Sequence, residues 1–243
     1  MEPEIIYEDR DVAVINKPPG LLVHKTKVSE EPTLADWLLE KYPEIKDVGD
    51  LPAGRQVTEN IRPGIVHRLD KETSGVMIVA RNQAAFDHLK KLFQSRDIKK
   101  TYLALVWGKV AQKSGVIEKP LGIKTGTLKR TTRVEGAGVK MIKEAKTAYR
   151  VKKYIGEYTL LEVEPLTGRT HQIRAHLASI GHPVVGDRLY GRKAAPAGLT
   201  RMFLHAESLE LTLPNGSRTK FTADLPPDLN PELFAPENPE SRS

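Results

Sequence analysis

Short strand-like runs outnumber helical ones in this chain and do not alternate with them, and that pattern restricts the fold more than any other feature. The runs are Asp11–Asn16, Gly75–Ala80, Thr101–Trp107, Tyr158–Glu164 and Ser208–Leu213. Helical periodicity is clear in two places. One helix starts behind Asn82, a good N-cap, and puts Ala85, Phe86, Leu89, Leu92 and Phe93 on one stripe. The other starts near Thr170 and stops at Gly181, with Pro183 just beyond. A shorter helix is expected over Thr33–Lys41, with Leu34, Trp37, Leu38 and Tyr42 inward. A doubly wound parallel sheet needs regular strand–helix alternation, so the fold class expected is α+β with a largely antiparallel sheet. No fixed-period repeat points to a solenoid or propeller.

Composition narrows the functional classes. Hydrophobic residues make up 39% of 243, enough for a packed core and too many for global disorder. With no cysteine there are no disulfides, thiolate zinc sites, iron–sulfur clusters or cysteine nucleophile. Residues 1–10 are acidic with no apolar signal core, and runs such as Val76–Ala80 are too short to cross a bilayer. A soluble, cytoplasmic, monomeric protein without a membrane partner is expected. Lysine and arginine (38) exceed aspartate and glutamate (31), giving a net charge of +7. Most of the excess lies between Lys124 and Arg150, where eight basic residues face only Glu135 and Glu144. Such a Gly- and Thr-rich stretch could track phosphates, or be a solvated pair of strands and loops. Asp47–Pro63 reads as a polar loop, longer than expected over Asp47–Asn60. The segment after Leu225 carries five prolines and is expected to be extended or disordered. The domain division expected is 1–225 and a Pro-rich tail, 226–243.

Three segments carry the chemistry. In His67-Arg68-Leu69-Asp70-Lys71-Glu72-Thr73-Ser74-Gly75, strand alternation puts Arg68 and Asp70 on one face, ahead of a tight turn. A strand end is a rigid place to hold a nucleophile, although the residues alone favour a surface strand with a salt-bridging aspartate. In Thr167–His176, Arg174 lies about 100° round from the inward Ile173 on a helix and so is partly buried. A partly buried guanidinium needs an acid; Asp70 is the attractive candidate, and a helix-end pair with any nearby Glu is the plainer one. In Lys99–Gly108, Tyr102 shares a strand face with Ala104 and Val106, which leaves room above its ring for a flat ligand; strand statistics favour a core tyrosine. There is no P-loop, dinucleotide fingerprint or GxSxG elbow. His171 and His176 are badly spaced for a zinc pair, and the other histidines read as capping, core or supporting residues.

Together these segments resemble the RluA-type pseudouridine synthase family. The HRLDxxTSG block is complete from His67 to Gly75. KxYxAxVxG appears as Lys100, Tyr102, Ala104, Val106 and Gly108. The helix block runs Gly168–Arg174, followed by Gly181-His182-Pro183, Gly186-Asp187 and Tyr190-Gly191, and an early Asn16–Leu21 with Val23-His24 also fits. The resemblance covers residues 5–222 and implies isomerisation of uridine to pseudouridine in structured RNA, ribosomal or transfer. It implies no cofactor or metal, and a mixed, mostly antiparallel bent sheet with flanking helices and a central cleft. A separate N-terminal RNA-binding domain, common in relatives, is expected to be absent. The implied roles are Asp70 as nucleophile toward sugar or base, Arg174 pairing with it, and Tyr102 stacking under the flipped uracil and assisting proton removal. Arg68 would fill the gap left by the extruded nucleotide, and Arg169, Lys124, Lys129, Arg130 and Arg133 would grip phosphates. A non-catalytic RNA-binding protein would explain the charge but not the trio of Asp70, Tyr102 and Arg174. A glycosidic-bond hydrolase would need a second carboxylate, for which only Glu72 offers itself.

Overall fold

The computed structural model describes residues 2–25, 31–50, 62–127, 129–135, 138–191 and 193–235. In chain order the elements are β1 (Glu4–Glu8), β2 (Val12–Lys17), α1 (Leu34–Lys41), β3 (Ser74–Ala80), α2 (Gln83–Ser95), β4 (Ile98–Trp107) and β5 (Ser114–Glu118). They continue with β6 (Leu121–Lys124), β7 (Arg130–Thr131), β8 (Val139–Lys143), β9 (Lys146–Ile155), β10 (Tyr158–Pro165), α3 (Gln172–Ser179), β11 (Leu204–Thr212) and β12 (Arg218–Thr222). The chain divides into two compact units, one of Met1–Lys100 with Ala206–Asp224, the other of Thr101–His205 with Leu225–Ser243.

In the first unit β2 pairs antiparallel with β1 and β3, β11 lies beside β3, and β12 pairs antiparallel with β11. Every residue of β3 is buried, which is why Gly75–Ala80 reads as an unbroken apolar run. Gly75 has φ +116, and a Cβ there would collide with the carbonyl oxygen of Ala206, so no other residue fits. The helix α1 begins with a reciprocal capping box. The Thr33 hydroxyl accepts from the Asp36 N–H, and the Asp36 carboxylate accepts from the Thr33 N–H. Leu34 and Leu38 are buried, with Tyr42 just beyond, while Trp37 is only half-buried. On α2, Asn82 caps through the Ala85 N–H and Ala85, Phe86 and Leu89 are buried, as the stripe predicts. Of the expected loop Asp47–Pro63, Asp47 closes a 3-10 turn over Pro43–Asp47, and residues 51–61 lie outside those described.

In the second unit β10 pairs antiparallel with β4 and β9, and β9 with β5. A separate small sheet runs β7-β6-β8. One core gathers Ala104, Val106, Leu161, Val163, Ile173, Leu177 and Val184, with the half-buried Tyr102 packed against it. The helix α3 starts two residues later than the sequence suggests, because His171 takes a left-handed backbone (φ 56). Gln172 then serves the exposed backbone from its side chain: its Oε1 accepts from the Arg169 N–H and the Thr167 hydroxyl.

Residues 226–235, the described part of the segment expected to be extended or disordered, are instead packed; residues 236–243 lie outside those described. Pro227–Leu229 and Pro231–Phe234 form 3-10 turns whose prolines sit at the starts, where a missing N–H is harmless. Leu229 and Phe234 are buried with Leu105, Trp107 and Phe203. Asp228 pairs with the buried Arg201. The pairings of β2 with β1 and β3, of β11 with β12, of β10 with β4 and β9, of β9 with β5 and of β6 with β7 and β8 are antiparallel and the helices few, so the fold is α+β. No helix among the described residues is long and apolar enough to cross a membrane.

Candidate active site

The HRLD segment is not a strand. After an isolated bridge from Ile65 to Val79, residues 66–70 form no regular structure, which corrects the expected alternation. The reason is local: the Ile78 N–H of β3 is taken by Nε2 of His67 (3.0 Å), an imidazole standing where a strand would present a carbonyl. The His67 ring also stacks on Phe93, with centroids 4.6 Å apart. Burial, then the Lys100 ammonium, push its pKa down to about 3, as the accepting role of Nε2 requires. Leu69 is buried, Asp70 half-buried and Arg68 exposed.

Asp70 opens a turn closed by the Thr73 N–H on the Asp70 carbonyl (3.1 Å). The turn is tied down at Lys71, whose carbonyl accepts from the Gly20 N–H (2.8 Å) and from Nζ of Lys17 (3.1 Å). Lys17 has no exposed surface and donates also to the carbonyls of Pro18 (2.7 Å) and Leu21 (3.0 Å). One ammonium thus fixes the loop after β2 to the turn that carries the aspartate. Thr73 follows it, and its buried hydroxyl has no hydrogen-bond partner among the described residues. Beside the turn, Nη1 of Arg68 lies 3.4 Å from Nε2 of the buried His24.

In the second unit Tyr102 sits opposite Val163 in the β4–β10 ladder and shares its face with the small Ala104. Arg174 has the acid partner that its burial demands, and it is one the spacing argument did not name. Its Nε and Nη2 donate to Oδ2 (2.7 Å) and Oδ1 (2.9 Å) of Asp187, whose carboxylate is fully buried. Burial alone would raise the Asp187 pKa. The guanidinium and the N–H groups of Tyr190 and Leu189 outweigh it and hold the carboxyl below its usual range. Tyr190 collects the surrounding cations: its ring lies under Arg174 (5.2 Å) and Lys129 (5.0 Å), and its hydroxyl accepts from the Arg130 N–H (2.8 Å).

The basic residues therefore separate into two kinds. Lys124 and Arg133 are exposed. Lys129 and Arg130 are half-buried, Lys129 donating to the Leu189 carbonyl (2.9 Å), and Arg169 donates to the Glu144 carbonyl (3.2 Å). His176 is buried between the Thr147 hydroxyl and the Lys119 carbonyl. Among the described residues no three of His, Cys, Asp and Glu group closely enough to hold a metal ion. Asp187, Tyr190, Lys17 and His24 were not singled out for these roles. Arg174 at a half-buried helical position was the signal for an acid such as Asp187.

Residues 11–179 match the family described as RNA pseudouridylate synthase, a span that holds Asp70, Tyr102 and Arg174. The chain belongs to that family. An uncharacterized RNA pseudouridine synthase of Chloroflexus aurantiacus is 42% identical over 215 residues, 88% of this chain and 63% of the relative. A second from Aquifex aeolicus is 46% identical over 79% of this chain and 57% of its own length. The chain thus spans about three fifths of these two relatives. The Yersinia pestis protein named ribosomal large subunit pseudouridine synthase D is 38% identical over 93% of this chain and 68% of its own. Among solved structures, human RNA pseudouridylate synthase domain containing 1 superposes with a TM-score of 0.72 at 28% identity, covering 94% of this chain and 86% of that one.

Proposed function

We propose that this protein isomerises specific uridines of structured RNA to pseudouridine, with Asp70 as the nucleophile. The carrying observation is the family match over residues 11–179, with Asp70 inside it on a turn that Lys17 and Gly20 tie down. A carboxylate on a fixed backbone suits covalent attack, because little ordering remains to be done as the bond forms. The uracil leaves the ribose, turns, and rejoins through carbon, so atoms balance without a co-reactant. In this reading Arg174, already held by Asp187 through Nε and Nη2, is the guanidinium that serves the nucleophilic aspartate, as the family resemblance implies. Tyr102, half-buried against its core, stacks on the extruded base with the part of its ring left exposed. Arg68 enters the gap in the RNA, offsetting part of an extrusion cost of a few kcal/mol. The exposed Lys124 and Arg133, with Arg169, Lys129 and Arg130, follow the phosphates.

Names of relatives such as the Yersinia pestis protein favour large-subunit ribosomal RNA over transfer RNA as the substrate. A looped or bulged uridine suits the reaction, since its base is already splayed. Mapping pseudouridine in total RNA with and without the gene, and with an Asp70→Ala copy, tests the reading. The expected result is loss of one or a few ribosomal positions, not restored by Asp70→Ala. Restoration by that variant removes Asp70 from the chemistry, and losses confined to transfer RNA move the substrate. Free uracil among the products would instead indicate a hydrolase.

A further inference from the structure

Arg68 is exposed, and a free arginine side chain in water samples many rotamers, worth about 2 kcal/mol of conformational freedom. A residue meant to enter a gap in RNA needs to be aimed beforehand. The usual aiming partner is a carboxylate, but that cancels the charge which a polyanion would meet. The described hydrogen-bond partner of the Arg68 guanidinium is instead an imidazole, His24 Nε2 at 3.4 Å.

His24 is built in rigidly. The carbonyls of Leu22 and Val23 just before it accept from the N–H groups of Leu34 (2.7 Å) and Ala35 (3.0 Å), in the first turn of α1. The residue as a whole is 5% exposed. Burial first, then the nearby Arg62 and Arg68, push its pKa down to about 4, so it is uncharged at neutral pH and keeps a lone pair for Arg68.

We propose that His24 is a positioning residue, a neutral acceptor that aims the Arg68 guanidinium toward RNA while leaving its positive charge uncompensated. The inference rests on the role given to Arg68 above. It adds a requirement on the chemistry of the residue behind it: an acceptor at that point, and not an anion.

The test is single-turnover pseudouridine formation on unmodified large-subunit ribosomal RNA transcribed in vitro, with RNA affinity measured across a salt series. His24→Leu removes the acceptor and should slow the reaction at saturating enzyme about tenfold, as loss of an orienting contact does. His24→Gln restores a neutral acceptor and should recover most of the rate. In an Arg68→Ala background His24→Leu should cost nothing further; a purely structural role would cost the same in both backgrounds and overturn the proposal. Full activity of His24→Leu, where Arg68→Ala is impaired, overturns it as well.

His24→Glu is the second arm and serves if His24→Leu fails to fold. It still holds Arg68 but supplies the charge that the imidazole lacks. RNA affinity should fall and the slope of log K against log salt should shrink by about 0.7, one phosphate contact on single strands. An unchanged slope overturns the proposal. If Arg68→Ala is unimpaired while Asp70→Ala is inactive, the positioning role falls and the Asp70 reading stands. If Asp70→Ala is active, that reading falls, and the salt slope of His24→Glu still decides for or against His24.

Discussion

At the scale of single residues, several buried imidazoles are held neutral for structural reasons, and this links stability to pH. In the folded protein the pKa of His67 is pushed to about 3 and that of His24 to about 4, and burial lowers that of His176 too. In the unfolded chain each returns to about 6.5. Above that value neither state is protonated and the shifts do not matter. Below it the unfolded chain takes up protons that the fold refuses, so stability falls as pH drops toward the folded values. His67 and His24 each contribute a slope approaching about 1.4 kcal/mol per pH unit, and His176 acts in the same direction. Urea unfolding at pH 7.5, 6 and 5 should show this loss in a window where most carboxylates stay ionised, and His24→Gln should flatten the slope. A flat wild-type curve would contradict the buried, neutral assignment. The same scale holds what the sequence could not show. Arg174 at a half-buried helical position signals that some acid must meet it, but a helical period does not say which; Asp187 reaches it from a loop thirteen residues on.

Among the elements, strands buried on both faces were the readable ones. The run Gly75–Ala80 marks β3 because every position is apolar, and Tyr158–Glu164 marks β10 because only Glu162 and Glu164 interrupt an otherwise buried run. Five strand runs were found to within a few residues, and β1, β5, β6, β7, β8, β9 and β12 were not. On β8 all but Val139 are exposed and three of five residues are Lys or Met, so no burial period exists to be seen. On β9, Thr147 and Tyr149 face inward between Lys146, Arg150 and Lys152, and a count of charge over that stretch hid the alternation. The proline-rich end was misjudged for a related reason. Composition suggested an unpacked chain, whereas Leu229 and Phe234 are spaced to drop into one core from consecutive 3-10 turns. Leu229→Ala should therefore lower stability by roughly 2–5 kcal/mol, as core truncations do, measurable as a drop in thermal midpoint. A midpoint equal to wild type would mean the turns are not part of the core.

For the molecule as a whole, the net charge of +7 is the property that a polyanion would meet first. The structure divides that charge by availability. Lys124, Arg133 and Lys140 are exposed, while the Lys129 ammonium is engaged with the Leu189 carbonyl and the Tyr190 ring, and Arg130 is half-buried. Replacing the exposed three by Gln should leave the thermal midpoint nearly unchanged and reduce the salt slope of RNA binding by about 2. An unaltered slope would assign the contacts elsewhere. Lys17 has a different consequence. Acylating reagents modify amines they can reach, and this amine lies sealed under three backbone carbonyls. During brief treatment of the native protein, mass spectrometry should find Lys17 untouched while its exposed counterparts are labelled. Its labelling rate in dilute denaturant then becomes a built-in clock for how often the floor beneath the aspartate comes apart.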